Sequence, residues 1–169
     1  MSRHPDKPVL PSQALALADA AATEALGAAL WRAWDGRHCV VALQGDLGAG
    51  KTTLVRGLLR AAGHTGAVRS PTYTLMEPYD IAGRRVLHLD LYRLADPGEL
   101  DFLGVRDELG DGVLVLVEWP ERGAGVMPPY DLDVALSDAG SGRAARVVGR
   151  DRVGEDLAAD LLGFGSHSD

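Results

Sequence analysis

Apolar residues recur along this chain in two rhythms, and the changes between them mark out its elements. From Ser12 to Trp34 alanine and leucine dominate. Leu15, Ala18, Ala22, Leu26, Ala29, Leu30 and Ala33 fall near the helical period, which predicts one amphipathic helix with Gly36 just past its end. Val40-Val41-Ala42-Leu43 is a short apolar run that reads as a strand, and Lys51 to Leu59 returns to a helical pattern. A break at Ala62–Gly66 follows, then a loop at Ser70-Pro71-Thr72 that leads into an extended segment near Tyr73–Asp80. Ala82-Gly83 punctuates a hairpin before the strand Val86–Leu91. Pro97 to Leu109 reads as a helix, with Asp96 as its N-cap and Pro97 in its first turn. Val113 to Val117 is continuously apolar, as a strand buried on both faces would be. Leu132–Leu136 and Ala144–Val148 read as a closing antiparallel pair.

Between the first strand and the helix behind it lies Gly45-Asp46-Leu47-Gly48-Ala49-Gly50-Lys51-Thr52, which fits the phosphate-loop pattern at every position. Glycines let such a loop turn tightly and bring its N–H groups close to phosphate oxygens. The positive end of the following helix faces the bound anion. Lys51 reaches the β- and γ-phosphates, Thr52 is the expected Mg²⁺ ligand, and Thr53 continues the helix. Of the 17 basic residues only Lys7 and Lys51 are lysine. A compact ammonium on a flexible stem suits the loop where a guanidinium fork would not. The reading is therefore a nucleotide-binding protein with Mg²⁺.

Composition narrows the setting. The 169 residues suit a single phosphate-loop domain over 12–150, after a loose lead-in at 1–11 that carries three prolines. The tail, 151–169, is expected to begin as a short helix near Gly154 and to end disordered. The fold expected is α/β, three-layered and phosphate-loop NTPase-like, with a mixed parallel and antiparallel sheet of about seven strands. No apolar stretch spans a bilayer and the start lacks a signal peptide's apolar core. The single cysteine, Cys39, reads as a small buried hydrophobe rather than a reactive thiol. The expected location is cytoplasmic. A net charge of −7 argues against strong binding of nucleic acid through the protein's own field. Arg84-Arg85 and the group Arg143, Arg146, Arg150 and Arg152 read as solvated faces, with docking patches as the alternative.

Such a loop calls for an acidic group at a neighbouring strand end. Glu118 ends the run Val113–Val117, and Asp90 lies within Val86–Leu91; each can bind Mg²⁺ or orient an attacking water. Thr72 and Thr74 follow the Ser70-Pro71 loop, where a hydroxyl can sense the γ-phosphate. His88 is expected on the strand face opposite Asp90, as a packed or partner-facing residue rather than a catalytic base.

Four blocks in order, Gly45 to Thr53, Ser70-Pro71-Thr72-Tyr73-Thr74-Leu75, His88-Leu89-Asp90-Leu91-Tyr92-Arg93-Leu94 and Glu118-Trp119-Pro120-Glu121, resemble the TsaE (YjeE) family over about residues 12–150. The resemblance implies an ATPase of the bacterial machinery that makes threonylcarbamoyladenosine at position 37 of tRNAs decoding A-starting codons. It implies binding to the TsaB–TsaD complex, whose turnover ATP hydrolysis supports, without strong tRNA binding and without a membrane. It carries the metal ligands onto Thr52 and Glu118, the essential aspartate onto Asp90, the tryptophan beside the nucleotide onto Trp119, and a late Gly-Arg pair near the nucleotide onto Gly142 and Arg143. Catalysis then falls to Lys51, Asp90 and Glu118. Leu89 stands where the family commonly has an aromatic residue. Two other readings stay open: a small-molecule kinase, and a nucleotide-dependent switch with incidental hydrolysis. A Ras-type GTPase is disfavoured, because a chain without asparagine has no Asn-Lys-x-Asp element.

Overall fold

A computed structural model describes residues 13–165, so the expected lead-in and the last four residues lie outside the described residues. Seven strands form one mixed sheet in the order β1-β7-β6-β2-β5-β4-β3. In chain order the strands are β1 Gln13–Leu17, β2 Cys39–Gln44, β3 Met76–Ile81, β4 Arg84–Asp90, β5 Val113–Glu118, β6 Leu132–Ala139 and β7 Gly142–Gly149. The parallel centre, β6-β2-β5-β4, is flanked by antiparallel partners on both sides.

Alternation along the central strands sends side chains to two cores. Val41, Leu43, Val86, Leu114 and Leu116 face one layer, which holds α1 (Ala20–Ala33), α2 (Lys51–Ala62) and α5 (Arg152–Gly165). Val40, Leu87, Leu89, Val113, Val115 and Val117 face the other, closed by Leu100 of α3 (Glu99–Phe102), Val105 of α4 (Val105–Glu108) and the loop residues Leu91 and Leu94. Strands apolar on both faces are what a parallel sheet between two layers requires.

Helices α1 and α2 cross at a pair of glycines. A Cβ on Gly57 would sit 2.1 Å from the Glu24 carbonyl oxygen, and one on Gly27 would sit 2.0 Å from that of Leu54. Each helix thus leans on the other's backbone, and this seats α2, with the loop before it, against the sheet.

Three expectations need correction. The predicted helix from Ser12 to Trp34 is a strand followed by a helix. Residues 13–17 pair antiparallel with β7, and Asp19 caps α1 by accepting the Ala22 N–H at 2.9 Å. Alanine and leucine fit both periods here, and the sheet edge decides. The predicted helix from Pro97 to Leu109 is two single turns, because Gly104 between them takes φ 68°, a left-handed backbone that ends the first turn. The extended segment starts at Met76 rather than Tyr73, since Leu75 closes a turn onto the Pro71 carbonyl at 2.7 Å. The hairpin at Ala82-Gly83 is present, with both residues at positive φ, as a two-residue turn of matching twist requires. The helix expected near Gly154 begins at Arg152 and packs its Leu157, Ala158 and Leu161 into the first core.

The arginine groups are largely tied into the fold. Arg84 lies over the rings of Trp31 and Trp34, Arg85 pairs with Asp80 and Glu108, and Arg150 grips Asp133. Cys39 is fully buried, and burial pushes its thiol up to about 12.

Candidate functional site

The loop after β2 and the ends of β4 and β5 meet at one cleft. Register places Asp90 directly beside Glu118, and the Leu91 N–H donates to the Glu118 carbonyl at 3.1 Å, locking the two strand ends together. Gly50 precedes α2 in a left-handed conformation, φ 109°, and Gly45 is held so closely that a Cβ would meet the Leu136 carbonyl oxygen at 2.7 Å. Leu47, Gly48, Gly50, Lys51, Thr52 and Thr53 form one wall of a cavity of about 400 Å³. Ser70, Thr72, Asp90, Glu118 and Trp119 form the rest, with Tyr92 and Arg93 at the rim.

Most of the predicted residues converge there. Gly142 and Arg143 instead line an adjoining hollow of about 210 Å³ that reaches Asp19, the cap of α1, and Thr23 within it. Gly45, Asp46 and Ala49 border a third hollow behind the loop, with Leu136 and Ser137. Arg143 donates to the loop carbonyls of Ala49 at 3.2 Å and Gly48 at 3.1 Å, so it braces the loop through its backbone. Thr74 faces a separate cavity on the outer side of the 70–75 turn.

Four buried ionisable groups sit in or beside the cleft: Lys51, His88, Asp90 and Glu118. Lys51 Nζ donates to the Gly45 carbonyl and lies 3.6 Å from the centre of the Trp119 ring. Burial pulls the Lys51 ammonium below its ordinary pKa, against the pull of the Glu118 and Asp90 carboxylates. The Thr52 hydroxyl lies 3.3 and 3.2 Å from the two oxygens of Glu118. Ser70 bridges the carboxylates, donating to Asp90 Oδ2 and lying 3.3 Å from Glu118 Oε2. Asp90 also accepts the Tyr92 N–H at 2.9 Å.

His88 corrects the expectation made for it. Two residues before Asp90, it shares that residue's face of β4, because side chains alternate along a strand. Its ring Nε2 lies 2.6 Å from Glu118 Oε2. That parity was available in the sequence; the diagonal contact to β5 was not. Tyr92 was also missed, and its ring stacks beside Trp119 with centroids 5.0 Å apart. Two non-glycine residues hold left-handed backbone here: Trp119, in the cleft, at φ 56°, and Leu75, whose carbonyl accepts the Asp90 N–H at 3.0 Å, at φ 66°. Such conformations persist where the surroundings over-determine them, and they cluster at functional sites.

Strand, glycine-rich loop, helix N-terminus and paired strand-end carboxylates define an α/β fold of the phosphate-loop NTPase type. The family model described as "Threonylcarbamoyl adenosine biosynthesis protein TsaE" matches residues 17–147, and the chain belongs to that family. Similar curated proteins include the tRNA threonylcarbamoyladenosine biosynthesis protein TsaE of Haemophilus influenzae, 48% identical over 118 residues, which are 70% of this chain and 75% of that protein. The protein of the same name in Synechocystis is 46% identical over 90 residues, 49% of this chain and 55% of its own length. Among solved structures, the crystal structure of Bacillus subtilus YdiB superposes with a TM-score of 0.74 at 28% identity, covering 94% of this chain and 99% of that one. Among the described residues no helix is long and apolar enough to cross a membrane.

Proposed function

We propose that this protein is a Mg²⁺-dependent ATPase that binds the TsaB–TsaD complex and supports its turnover in making N6-threonylcarbamoyladenosine at position 37 of tRNA. The observation that carries the chemistry is the convergence of Lys51, Thr52, Asp90 and Glu118 on one cleft at the mouth of the glycine-rich loop. Family membership supports the pathway.

The residues fit the groups this reading needs. Glycine at position 45 lets the loop close against Leu136, and the loop opens directly into α2, so a polyphosphate would meet backbone N–H groups at a helix N-terminus. Thr52, Glu118 and Asp90 offer oxygen donors only, the set a hard cation such as Mg²⁺ takes. When bound, Mg²⁺ would neutralise charge on the β- and γ-phosphate oxygens. Lys51 would leave the Gly45 carbonyl for the phosphates, stabilising negative charge there. Asp90, at the strand end beside Glu118, would orient a water in line with the γ-phosphorus. Trp119 and Tyr92 would shield the reacting end from bulk solvent.

The test is ATP hydrolysis by the purified protein with Mg²⁺, alone and with purified TsaB–TsaD complex, with Lys51→Ala as control. Slow hydrolysis that the complex stimulates and the substitution abolishes is the expected outcome. A protein that neither binds nor responds to the complex would lose its place in the pathway. Glu118→Gln separates an ATPase from a switch: full pathway activity in a variant that binds ATP without hydrolysing it favours the switch.

A further inference from the structure

Glu118 has two oxygens in different circumstances. Oε2 takes the His88 ring at 2.6 Å and lies 3.3 Å from the Ser70 hydroxyl and 3.2 Å from that of Thr52, whereas Oε1 meets only Thr52, at 3.3 Å, among the described residues. His88 is fully buried, and its other ring nitrogen, Nδ1, has no hydrogen-bond partner among the described residues. With Nε2 engaged by the carboxylate, Nδ1 is left as a buried polar nitrogen without a partner, and such a group is unfavourable. Its neighbours on that face away from the carboxylates are aliphatic, with Val86 on the same strand and Leu116 directly across on β5. Leucine at position 88 would pack on that face without an orphaned nitrogen. What leucine lacks is the bond to Glu118.

From this we infer that His88 is a positioning residue: by holding Glu118 Oε2 from inside the sheet, it leaves Oε1 as the oxygen with fewer partners and sets the carboxylate for a divalent cation bound with nucleotide. The inference rests on the reading of the cleft as a metal–nucleotide site. Hydrogen bonds of this kind from behind a ligating carboxylate fix its orientation, and their removal typically weakens metal affinity about 10–100-fold. His88 itself is fully buried and does not line the cleft. Its loss should therefore separate metal affinity from nucleotide affinity, which a general loosening of the fold would not do.

The experiment measures Mn²⁺ binding by electron paramagnetic resonance at saturating ADP, and ADP binding in EDTA through Trp119 fluorescence, for the wild type, His88→Leu, His88→Gln and His88→Asn. Thermal melts accompany each. A tenfold or greater weakening of Mn²⁺ binding in His88→Leu is expected, with ADP affinity in EDTA unchanged. Glutamine can place an amide near the position of Nε2 and should recover most of the loss, while the shorter asparagine should not. The glutamine–asparagine pair decides the matter even where the leucine variant fails to fold. Equal Mn²⁺ affinity in wild type, glutamine and asparagine variants would overturn the inference, as would a parallel loss of ADP affinity in EDTA. A wild type that binds ADP but no Mn²⁺, or neither, would overturn the metal–nucleotide reading, and this inference with it. Mn²⁺ binding that is intact in the wild type and unmoved by substitution would sink the role of His88 alone.

Discussion

Both ends of the parallel strands bury carboxylates, and the two ends partner them differently. Where β2 and β6 begin, Asp131 accepts the Val40 N–H at 2.7 Å, and Asp133 is gripped by the Arg150 guanidinium. Where β4 and β5 finish, Asp90 and Glu118 are met by hydroxyls, an imidazole and a backbone N–H. The nearest cation, Lys51, is turned to its own loop carbonyl beneath Trp119. The first arrangement sets Asp133 against a guanidinium and Asp131 against a backbone N–H, with the Asp151 carboxyl as its neighbour. The second leaves two carboxylates and an ammonium lining a cavity, met by hydroxyls, an imidazole and backbone groups rather than by a guanidinium. A buried carboxylate is structural or available for chemistry according to the donors around it, and here one sheet shows both at its opposite ends.

The sharpest way to break this contrast is to substitute at the cleft and watch the fold survive. Lys51→Ala is expected to reduce ATP hydrolysis by about 100-fold or more, the scale of losing one preorganised charge stabiliser. Its melting temperature should stay at or above that of the wild type, because a desolvated ammonium is removed. Kinetics and calorimetry on the same preparation check both halves, and a collapse in stability would make Lys51 a structural residue.

Asp90→Asn comes next. We expect hydrolysis to drop by about 10²-fold, while nucleotide binding changes little. The amide keeps an acceptor for the Tyr92 N–H but cannot orient water as a carboxylate does. A large change in nucleotide affinity with kcat intact would assign Asp90 to binding instead.

At the opposite end the signs reverse. Arg150→Ala leaves the Asp133 carboxylate buried without its guanidinium and should cost about 1–3 kcal/mol of stability by urea unfolding, with nucleotide binding untouched. Loss of binding in a variant so far from the cleft would show that the two ends are not independent.

The smallest effect is a pH dependence. Burial and the neighbouring Asp151 carboxyl push Asp131 up to about 6 from its ordinary 3.8. The folded state therefore holds a proton that the unfolded state releases, and this contribution to stability is lost as pH rises from about 4 through 6. Asp131→Asn mimics the protonated form. Its melting temperature should exceed that of the wild type at pH 7.5 and converge with it at pH 4. An equal difference at both values would show that the proton is not held.

Much of this was legible in the chain because the elements concerned are local. The glycine-rich loop declares itself by residue type at fixed spacing, and Val113–Val117 by unbroken apolarity. Asp90 and Glu118 stood out as carboxylates closing apolar runs. The hairpin at Ala82-Gly83 followed from turn chemistry. What escaped was set by contacts distant in sequence. Residues 13–17 carry a pattern that serves helix or strand, and β7, about 130 residues away, supplies the edge that makes them a strand. Gly104 breaks a plausible helix because the chain turns there to close the second core. Strand alternation alone sets His88 on the face of Asp90, but no count could have shown its ring meeting Glu118.

The sequence by itself determined the glycine-rich loop, since a loop of this kind needs particular residues in a particular order and the backbone does the rest. Only the tertiary structure decided which carboxylate faces which donor. Strand order and register bring together residues 30 and 66 positions apart, as in His88–Glu118 and Thr52–Glu118. Those depend on the whole sheet closing at once, and no local pattern records them.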